Sequence, residues 1–252
     1  MTAHAPLAHA LAPGDELAER LRAVVAGFGL PFGAERSVKL RAGEARHGRA
    51  LFSLALGPDP RGQLLAAAEA LGAPQAAVAP LLPWAGAASH LHVGAEPPAT
   101  AKLYLEFAAP PPRRADLVFL AAKWRVDGAA PRALATYSRR DEPLESLLAR
   151  LAPAPLHAPL RALAARTQTP PRALEVAEPP SPRLSLDLNV YDADLTLAEA
   201  AAEIRALHAA LSAPGADALL AAHGAEPLGH VAAGVSRDGA PFATIYFGGG
   251  PG

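Results

Sequence analysis

The chain has 252 residues, of which 51% are hydrophobic, enough to bury a sizeable core. Its 23 basic and 24 acidic residues give a formal net charge of −1, which excludes the global positive field that holds nucleic acid or an anionic membrane. Cysteine is absent, so disulfides and thiolate chemistry are excluded. Since no long apolar run and no signal-peptide pattern occur, we expect a cytoplasmic protein that binds neither membrane nor nucleic acid.

The first half of the chain predicts alternating helices and hairpins, from apolar residues at helical or strand spacing. In chain order these are a helix over 15–28, a hairpin of 35–43 with 48–57, helices over 61–73 and 74–84, and hairpins of 89–96 with 100–107 and of 117–126 with 131–140. Asp127 and Gly128, a favoured turn pair, join the third hairpin. No helix is predicted between the second and third hairpins.

The second half continues the pattern and completes five hairpins. It predicts helices over 141–152 and 158–168, a hairpin of 173–178 with 183–191, helices over 196–211 and 215–224, and a hairpin of 229–236 with 242–248. Thr196 and Glu199 have the spacing of a capping box. We expect one domain over 1–252, with a flexible N-terminus at 1–13 and a flexible tail at 248–252.

Strand parity sorts the hairpin residues into an apolar and a polar face, because successive side chains point to opposite sides of a sheet. In 183–191 the alternation is unbroken, with leucines and a valine at even positions against polar residues at odd ones. The helices must cover the apolar face, since they are the large apolar partners available. The polar face is either the wet side of an open sheet or the lining of a closed barrel.

The rare residue types favour the barrel. The four tyrosines of the chain each fall in the second strand of a hairpin, and the three lysines fall on the polar face although lysine is a poor strand former. These residues are Tyr104, Tyr137, Tyr191, Tyr246, Lys39, Lys102 and Lys123. A ten-stranded barrel is wide enough to hold a ligand in its lumen.

Five α-β-β-α units, the Lys102-Leu103-Tyr104 triplet and the Glu35-Arg36-Ser37 segment followed by Arg49 resemble the aromatic prenyltransferase family, in its dimethylallyltryptophan synthase branch. The resemblance implies an α+β fold: a ten-stranded antiparallel barrel of five α-β-β-α repeats with the helices outside. It implies transfer of a prenyl group from dimethylallyl or geranyl diphosphate to an aromatic small molecule or peptide side chain. The chain departs from the family in its shorter length and in a Lys-Trp-Arg run on the first strand of hairpin three.

The chemistry of such a transfer assigns roles to the polar face. A diphosphate leaving group needs several fixed cations, for which the candidates are Lys39, Arg49, Lys102, Lys123, Arg125 and Arg183. An allyl cation is stabilised by tyrosine rings that exclude water, for which the candidates are Tyr104, Tyr137, Tyr191 and Tyr246. A carboxylate must accept the acceptor's proton, with Glu35 as first choice and Glu106 and Asp187 behind it. No Asp-Asp-x-x-Asp cluster occurs, so no cofactor is required, and Mg²⁺ is optional.

Two alternatives remain open. His90, His92 and Glu96 have the His-x-His-x-x-x-Glu spacing of a cupin metal site, with His230 as a further ligand, although helices between hairpins are foreign to a jelly roll. A non-catalytic barrel that carries a small amphipathic ligand would need the tyrosines but no cluster of cations. The identity of the acceptor, the prenyl chain length and the oligomeric state do not follow from the sequence.

Overall fold

Ten antiparallel strands form the centre of the computed structural model, which describes residues 16–127 and 133–249. They are β1 (Phe32–Arg41), β2 (Glu44–Ala55), β3 (His90–Glu96), β4 (Thr100–Glu106), β5 (Leu117–Arg125), β6 (Ala133–Arg140), β7 (Ala173–Ala177), β8 (Leu184–Asn189), β9 (Leu228–Val235) and β10 (Pro241–Phe247). Each pairs with its neighbours in the chain, and β1 pairs with β10, so the sheet closes into a barrel. The predicted α+β barrel is confirmed.

The helices lie between hairpins along the chain. The α-helices are α1 (Glu16–Gly27), α2 (Pro60–Ala70), α3 (Gln75–Val78), α4 (Leu144–Leu151), α5 (His157–Ala164), α6 (Ala201–Ala210) and α7 (Ala216–His223). Shorter 3-10 turns occur at Leu82–Ala87, Ala154–Leu156 and Tyr191–Ala193. The link between β4 and β5, which is fully described, contains no helix, as the sequence indicated.

The apolar face of the sheet packs outward against the helices, as strand parity predicts. One buried cluster joins α4, α5, α6 and α7 to β1, β8, β9 and β10, through residues such as Leu147, Leu207, Leu188 and Ile245. A second joins α1, α2 and α3 to β2 through β5. Because the helices bury the apolar face along the outside of the barrel, the alternate, polar residues of the strands point into the lumen.

Part of the lumen wall is apolar, which parity alone did not single out. A third buried cluster consists of Val118, Ala121, Ala135, Tyr137, Leu174 and Val176, with Tyr104 and Phe119 packed against it. A bulge in β5 shifts the register between Leu117 and Phe119, which is how consecutive residues of one strand come to face the same side. The lumen therefore has an aromatic and aliphatic wall beside its charged one.

Two predicted elements end earlier than the sequence indicated. The helix predicted over 74–84 divides into α3 and a 3-10 turn, because Pro80 and Pro83 lack the amide hydrogen that a continuous helix needs. The strand predicted to reach Tyr191 ends at Asn189, whose side-chain oxygen accepts the Tyr191 backbone N–H at 3.1 Å. This local bond favours a turn over further strand pairing.

The capping box forms, but one turn ahead of the helix. Thr196 N–H donates to Glu199 Oε2 at 2.8 Å, and Glu199 N–H donates to Thr196 Oγ1 at 3.3 Å. The regular helix α6 begins only at Ala201. The reciprocal bonds therefore order the turn that leads into α6.

Several sequence predictions concern residues outside the described ranges. The N-terminus at 1–13, Gly128 of the predicted third hairpin turn and the last part of the tail, 250–252, are among them. At the start of the predicted tail, the Gly248 N–H donates to the Pro227 carbonyl at 2.9 Å. Within the described ranges, no helix is both long and apolar enough to cross a bilayer.

Gly234 provides a test of how closely β8 and β9 approach. A Cβ at this position would lie 2.3 Å from the Leu184 carbonyl oxygen and 2.4 Å from Ser185 Cβ. We expect Gly234→Ala to lower the free energy of unfolding by about 1–3 kcal/mol, because the strands must separate. Urea denaturation measures this. Gly33→Ala in β1 is the control, since its Cβ would meet nothing within 4 Å, and equal effects of the two substitutions would refute the expectation.

Candidate active site

The antiparallel topology gives the lumen two chemically different ends. The strand ends that each hairpin joins lie at one end of the barrel, here called the turn end, and the strand ends that face the links between hairpins lie at the other, the link end. The two strands of each hairpin therefore bring their residues near the connection to the turn end. Most of the lysines and arginines on the inner face are near a hairpin connection, whereas Glu35, Glu106 and His230 are nearer the link end.

Glu96, at the end of β3, gathers three cations at the turn end. Lys102 Nζ lies 2.5 Å from its carboxylate, Arg49 Nη2 lies 3.5 Å away and Lys39 Nζ lies 3.9 Å away. Burial alone would raise the pKa of Glu96, but Arg49, Lys102 and Lys39 together hold it well below the usual range. Glu96 is therefore ionised and compensates part of the positive charge around it.

Glu178, in the hairpin connection between β7 and β8, forms ion pairs with a second set of cations at the turn end. Its side chain is fully buried and forms ion pairs with Lys123 and Arg183 and, at 2.8 Å, with Arg237 of the β9–β10 connection. Burial opposes ionisation, but Lys123 and Arg183 outweigh it and lower the pKa of Glu178 to about 2. Lys123 and Glu178 are 55 residues apart in the chain, and the pairing of β5 with β6 and of β6 with β7 brings them together.

These two sets form what we call the cation cluster: Lys39, Arg49, Lys102, Lys123 and Arg183, with Glu96 and Glu178. The five basic side chains are at most 16% exposed, and among the described ion pairs their carboxylate partners are Glu96 and Glu178. Burial, with the neighbouring cations, lowers the pKa of Lys39 to about 7 and that of Lys102 to about 8. Within the part of the chain that the structure describes, the buried Nε atoms of Arg49 and Arg183 have no hydrogen-bond partner. Such an excess of buried positive charge is suited to binding a multivalent anion.

Arg125 is not joined to the cation cluster, although the sequence placed it with the other five. It ends β5 at the turn end, and its Nε donates to Asp127 Oδ1 at 2.9 Å. Its side chain is 29% exposed. Among the described ion pairs, Arg125 takes part in none with Glu96 or Glu178, so it belongs to the rim.

Aromatic rings line the lumen between the two ends. Tyr137 packs edge to face with Tyr104 and Phe119, at centroid distances of 5.9 and 5.6 Å. On the other wall, the Tyr246 ring lies 5.9 Å from the Arg49 guanidinium and stacks on His230 at 3.8 Å. Tyr246 therefore contacts the cation cluster on one side and the link-end residues on the other.

A carboxylate and histidine group occupies the link end. His230 Nδ1 lies 2.7 Å from Asp187 Oδ1 and its Nε2 lies 3.3 Å from Glu35 Oε1, while the Tyr191 hydroxyl donates to Glu35 Oε2 at 2.8 Å. Burial would lower the pKa of His230, but Asp187 and Glu35 raise it well above the usual value. His230 is thus a cation between two carboxylates. Tyr191, predicted beside the other tyrosines, instead holds Glu35 in place.

Glu106 belongs to a separate link-end group with Ser53 and His92. His92 Nε2 lies 2.8 Å from Glu106 Oε2, and His92 Nδ1 lies 2.6 Å from Ser53 Oγ. Both ring nitrogens of His92 are therefore engaged. The cupin-like set predicted from His90, His92 and Glu96 is not assembled, because Glu96 lies in the cation cluster at the opposite end of β3 from His90. No group of three metal-ligating side chains suited to a metal ion is found within 16–127 and 133–249.

Residues of this lumen that were not predicted from the sequence include Glu178, Arg237, Phe119 and Phe242. Glu178 and Arg237 lie in hairpin connections, where charged residues are usually solvated. Phe119 and Phe242 were not assigned to the inner face, although Lys39 Nζ lies 4.7 Å and Arg183 Cζ 5.5 Å from the centre of the Phe242 ring. Phe242 shares its parity with Thr244 and Tyr246 in β10, and this signal was available in the sequence.

Comparison with known proteins yields structural relatives. No family model matches the chain, and neither does any curated protein. The fold superposes on a 5-dimethylallyltryptophan synthase from Streptomyces coelicolor with a TM-score of 0.57 and 17% identity, over 86% of this chain and 80% of that one. The chain has the prenyltransferase-barrel fold. A 6-dimethylallyl tryptophan synthase gives a TM-score of 0.54 and 16% identity, over 85% and 80% of the two chains.

Because Lys39 and Lys102 have lowered pKa values, anion binding in this prenyltransferase barrel should be coupled to proton uptake. An anion among the lysines favours their charged forms and raises their pKa values. At about pH 8 we expect the wild type to take up more protons on binding inorganic pyrophosphate than Lys39→Arg, whose side chain stays charged. Calorimetry in buffers of different ionisation enthalpy counts these protons. Equal uptake by the two proteins would place the anion elsewhere.

Proposed function

We propose that this protein transfers a prenyl group from an allylic diphosphate, dimethylallyl or geranyl, to an aromatic acceptor of indole or phenol type. The observation that carries the proposal is the order of groups along one lumen. A cation cluster lies at the turn end, aromatic rings lie next to it, and carboxylates lie at the link end. The acceptor is a small molecule or a peptide side chain, and the proposal specifies only that it has an electron-rich aromatic ring.

The cation cluster is suited to the leaving group. Breaking the allylic C–O bond places negative charge on the diphosphate, and fixed cations in a low-dielectric lumen stabilise that charge strongly. Lys39, Arg49 and Lys102 share Glu96, and Lys123 and Arg183 share Glu178. Because cations exceed carboxylates here, the diphosphate would complete the charge balance.

The aromatic wall is suited to the allyl cation. Tyr104, Tyr137, Phe119 and Tyr246 present rings whose faces attract a cation, and burial raises the pKa of Tyr104 well above the usual value. A neutral phenol does not capture the cation as a phenolate would. The rings also exclude the water that would hydrolyse it.

Glu35 is the group we assign to the proton-transfer step. The acceptor carbon attacks the allyl cation, a C–C bond forms, and the ring proton moves to a Glu35 oxygen as aromaticity returns. Tyr191 and His230 hold that carboxylate, and Asp187 holds His230. Asp187 thus acts through His230 as a positioning residue.

The proposal uses no metal ion, since five side-chain cations face the position of the diphosphate. Mg²⁺ bound to the diphosphate is compatible with the same site, and metal independence remains a prediction. The binding experiment is therefore run with EDTA and repeated with Mg²⁺.

Removing one cation should weaken binding of the prenyl donor. We expect dimethylallyl diphosphate to bind the wild type in EDTA, and Lys102→Met to weaken binding by at least tenfold, as for a lost charge-assisted contact of about 1.5–3 kcal/mol. Isothermal titration calorimetry measures both. Arg22→Met, which removes a charge from the exposed face of α1, controls for the overall field and should bind like the wild type. If the wild type binds neither dimethylallyl nor geranyl diphosphate, in EDTA or with Mg²⁺, the prenyl-transfer proposal is wrong.

Removing the Glu35 carboxylate should affect turnover rather than donor binding. With an indole or phenol acceptor, we expect Glu35→Gln to lower kcat by about 10²–10⁴, the usual share of a general base, and to leave the dissociation constant of dimethylallyl diphosphate unchanged. Mass spectrometry of the prenylated product gives the rate. Glu19→Gln on the exposed face of α1 is the control. A wild type that binds the donor but prenylates no acceptor would favour the ligand-carrier alternative.

A further inference from the structure

A hydrogen-bonded chain of three side chains at the link end has no role in the reaction proposed above. Ser53 in β2, His92 in β3 and Glu106 at the end of β4 come from three adjacent strands. Ser53 pairs directly with His92 in the register, and His92 with Tyr104. Since directly paired residues point to the same side of a sheet, all three project into the lumen.

The contacts define the direction in which a proton can move. An ionised Glu106 can only accept at its 2.8 Å contact with His92 Nε2, so this nitrogen carries a hydrogen; in the neutral imidazole, His92 Nδ1 then accepts from the Ser53 hydroxyl, which is 2.6 Å away. Burial alone would raise the pKa of Glu106, but its hydrogen bond with His92 keeps that pKa below the usual value. A carboxylate fixed on one imidazole nitrogen makes the other a better proton acceptor.

The surroundings place this chain beside the aromatic wall. The His92 ring is 5.5 Å from Phe119 and 6.3 Å from Tyr104, while Ser53 is only partly buried. The other titratable and charged groups near it include His90, 4.0 Å from Glu106, Arg172, whose charge reaches Glu106, and Tyr191, whose pKa the Glu106 charge raises. Glu35 and its partners form a separate group, with no described hydrogen bond to Ser53, His92 or Glu106.

We propose that Ser53, His92 and Glu106 form a second proton-accepting site, which binds the hydroxyl of a phenol-type ligand and removes its proton. The ligand's O–H gives its proton to Ser53 Oγ while the Ser53 proton passes to His92 Nδ1. The products are a bound phenolate and a His92 imidazolium, paired with Glu106. Ser53 touches the ligand, His92 stores the proton, and Glu106 positions His92. The class of ligand rests on the proposed function, whereas the proton transfer does not need a prenyl donor.

The test uses 4-nitrophenol, whose phenolate absorbs at longer wavelength than the neutral phenol. At a pH where the free compound is mostly neutral, we expect the wild type to produce the phenolate band on binding. Ser53→Ala and His92→Gln should each reduce the band to that of free nitrophenol. Glu106→Gln should lower the equilibrium constant for ionisation by about tenfold, since one neighbouring charge shifts the pKa of a partner by about a unit or more.

Three controls separate this site from others in the lumen. His90→Gln makes the same change on the neighbouring, more exposed histidine and should keep the band. Glu35→Gln should also keep it. Saturating inorganic pyrophosphate, which competes for the cation cluster, should leave it unchanged.

Each other result overturns the proposal. No band in the wild type, or a band that survives in Ser53→Ala and His92→Gln, removes the proton-accepting role. Loss in Glu35→Gln assigns the proton to Glu35, and loss on adding pyrophosphate places the phenolate in the cation cluster. Circular dichroism of each variant verifies folding. Because no step requires prenyl transfer, a failure here is distinguishable from a failure of the proposed reaction, which is measured by donor binding and product formation.

Discussion

The turn end of the lumen gathers more basic than acidic side chains, and this is the constraint on which the rest of the lumen depends. Burying a charge without compensation is costly, and in the ion pairs of the described residues the five basic side chains of the cation cluster share two carboxylates, Glu96 and Glu178. The closed sheet can carry these buried charges because the apolar clusters between its outer face and the helices stabilise the strands. The stability of the fold therefore comes from the helix-covered face, which leaves the inner face available for chemistry.

The charge excess is tempered rather than removed. Lys39 and Lys102 have pKa values near neutrality, so without an anion the cluster can lose protons instead of paying the full cost of burial. An arriving diphosphate would reverse this, because its charge favours protonated lysines. Arg49 and Arg183 have no such freedom, since a guanidinium stays protonated, and their unpaired Nε atoms are the groups that most need a ligand.

At the link end, carboxylates and histidines take the place of the lysines and arginines. His230 lies between the carboxylates of Asp187 and Glu35. Ser53, His92 and Glu106 form a second chain of hydrogen bonds. The electrostatic potential therefore differs along the lumen, because basic side chains gather at the turn end and carboxylates at the link end. A substrate pair of an anionic donor and a neutral aromatic ring would be oriented by it, with the tyrosines between them.

The sequence by itself determined the hairpins, most of the strand faces and many of the residue types in the lumen, because strand parity is local and does not depend on which strands pair. Lys102, Tyr104 and Asp187 were placed on the inner face on that basis. Contacts between distant strands were decided only by the tertiary structure. Glu178 reaches Lys123 across 55 residues and His230 reaches Glu35 across 195, and no local pattern specifies either pair. Only the tertiary structure also shows that Arg125 pairs with Asp127, that Glu96 lies among the lysines and Arg49, and that the Tyr191 hydroxyl donates to Glu35.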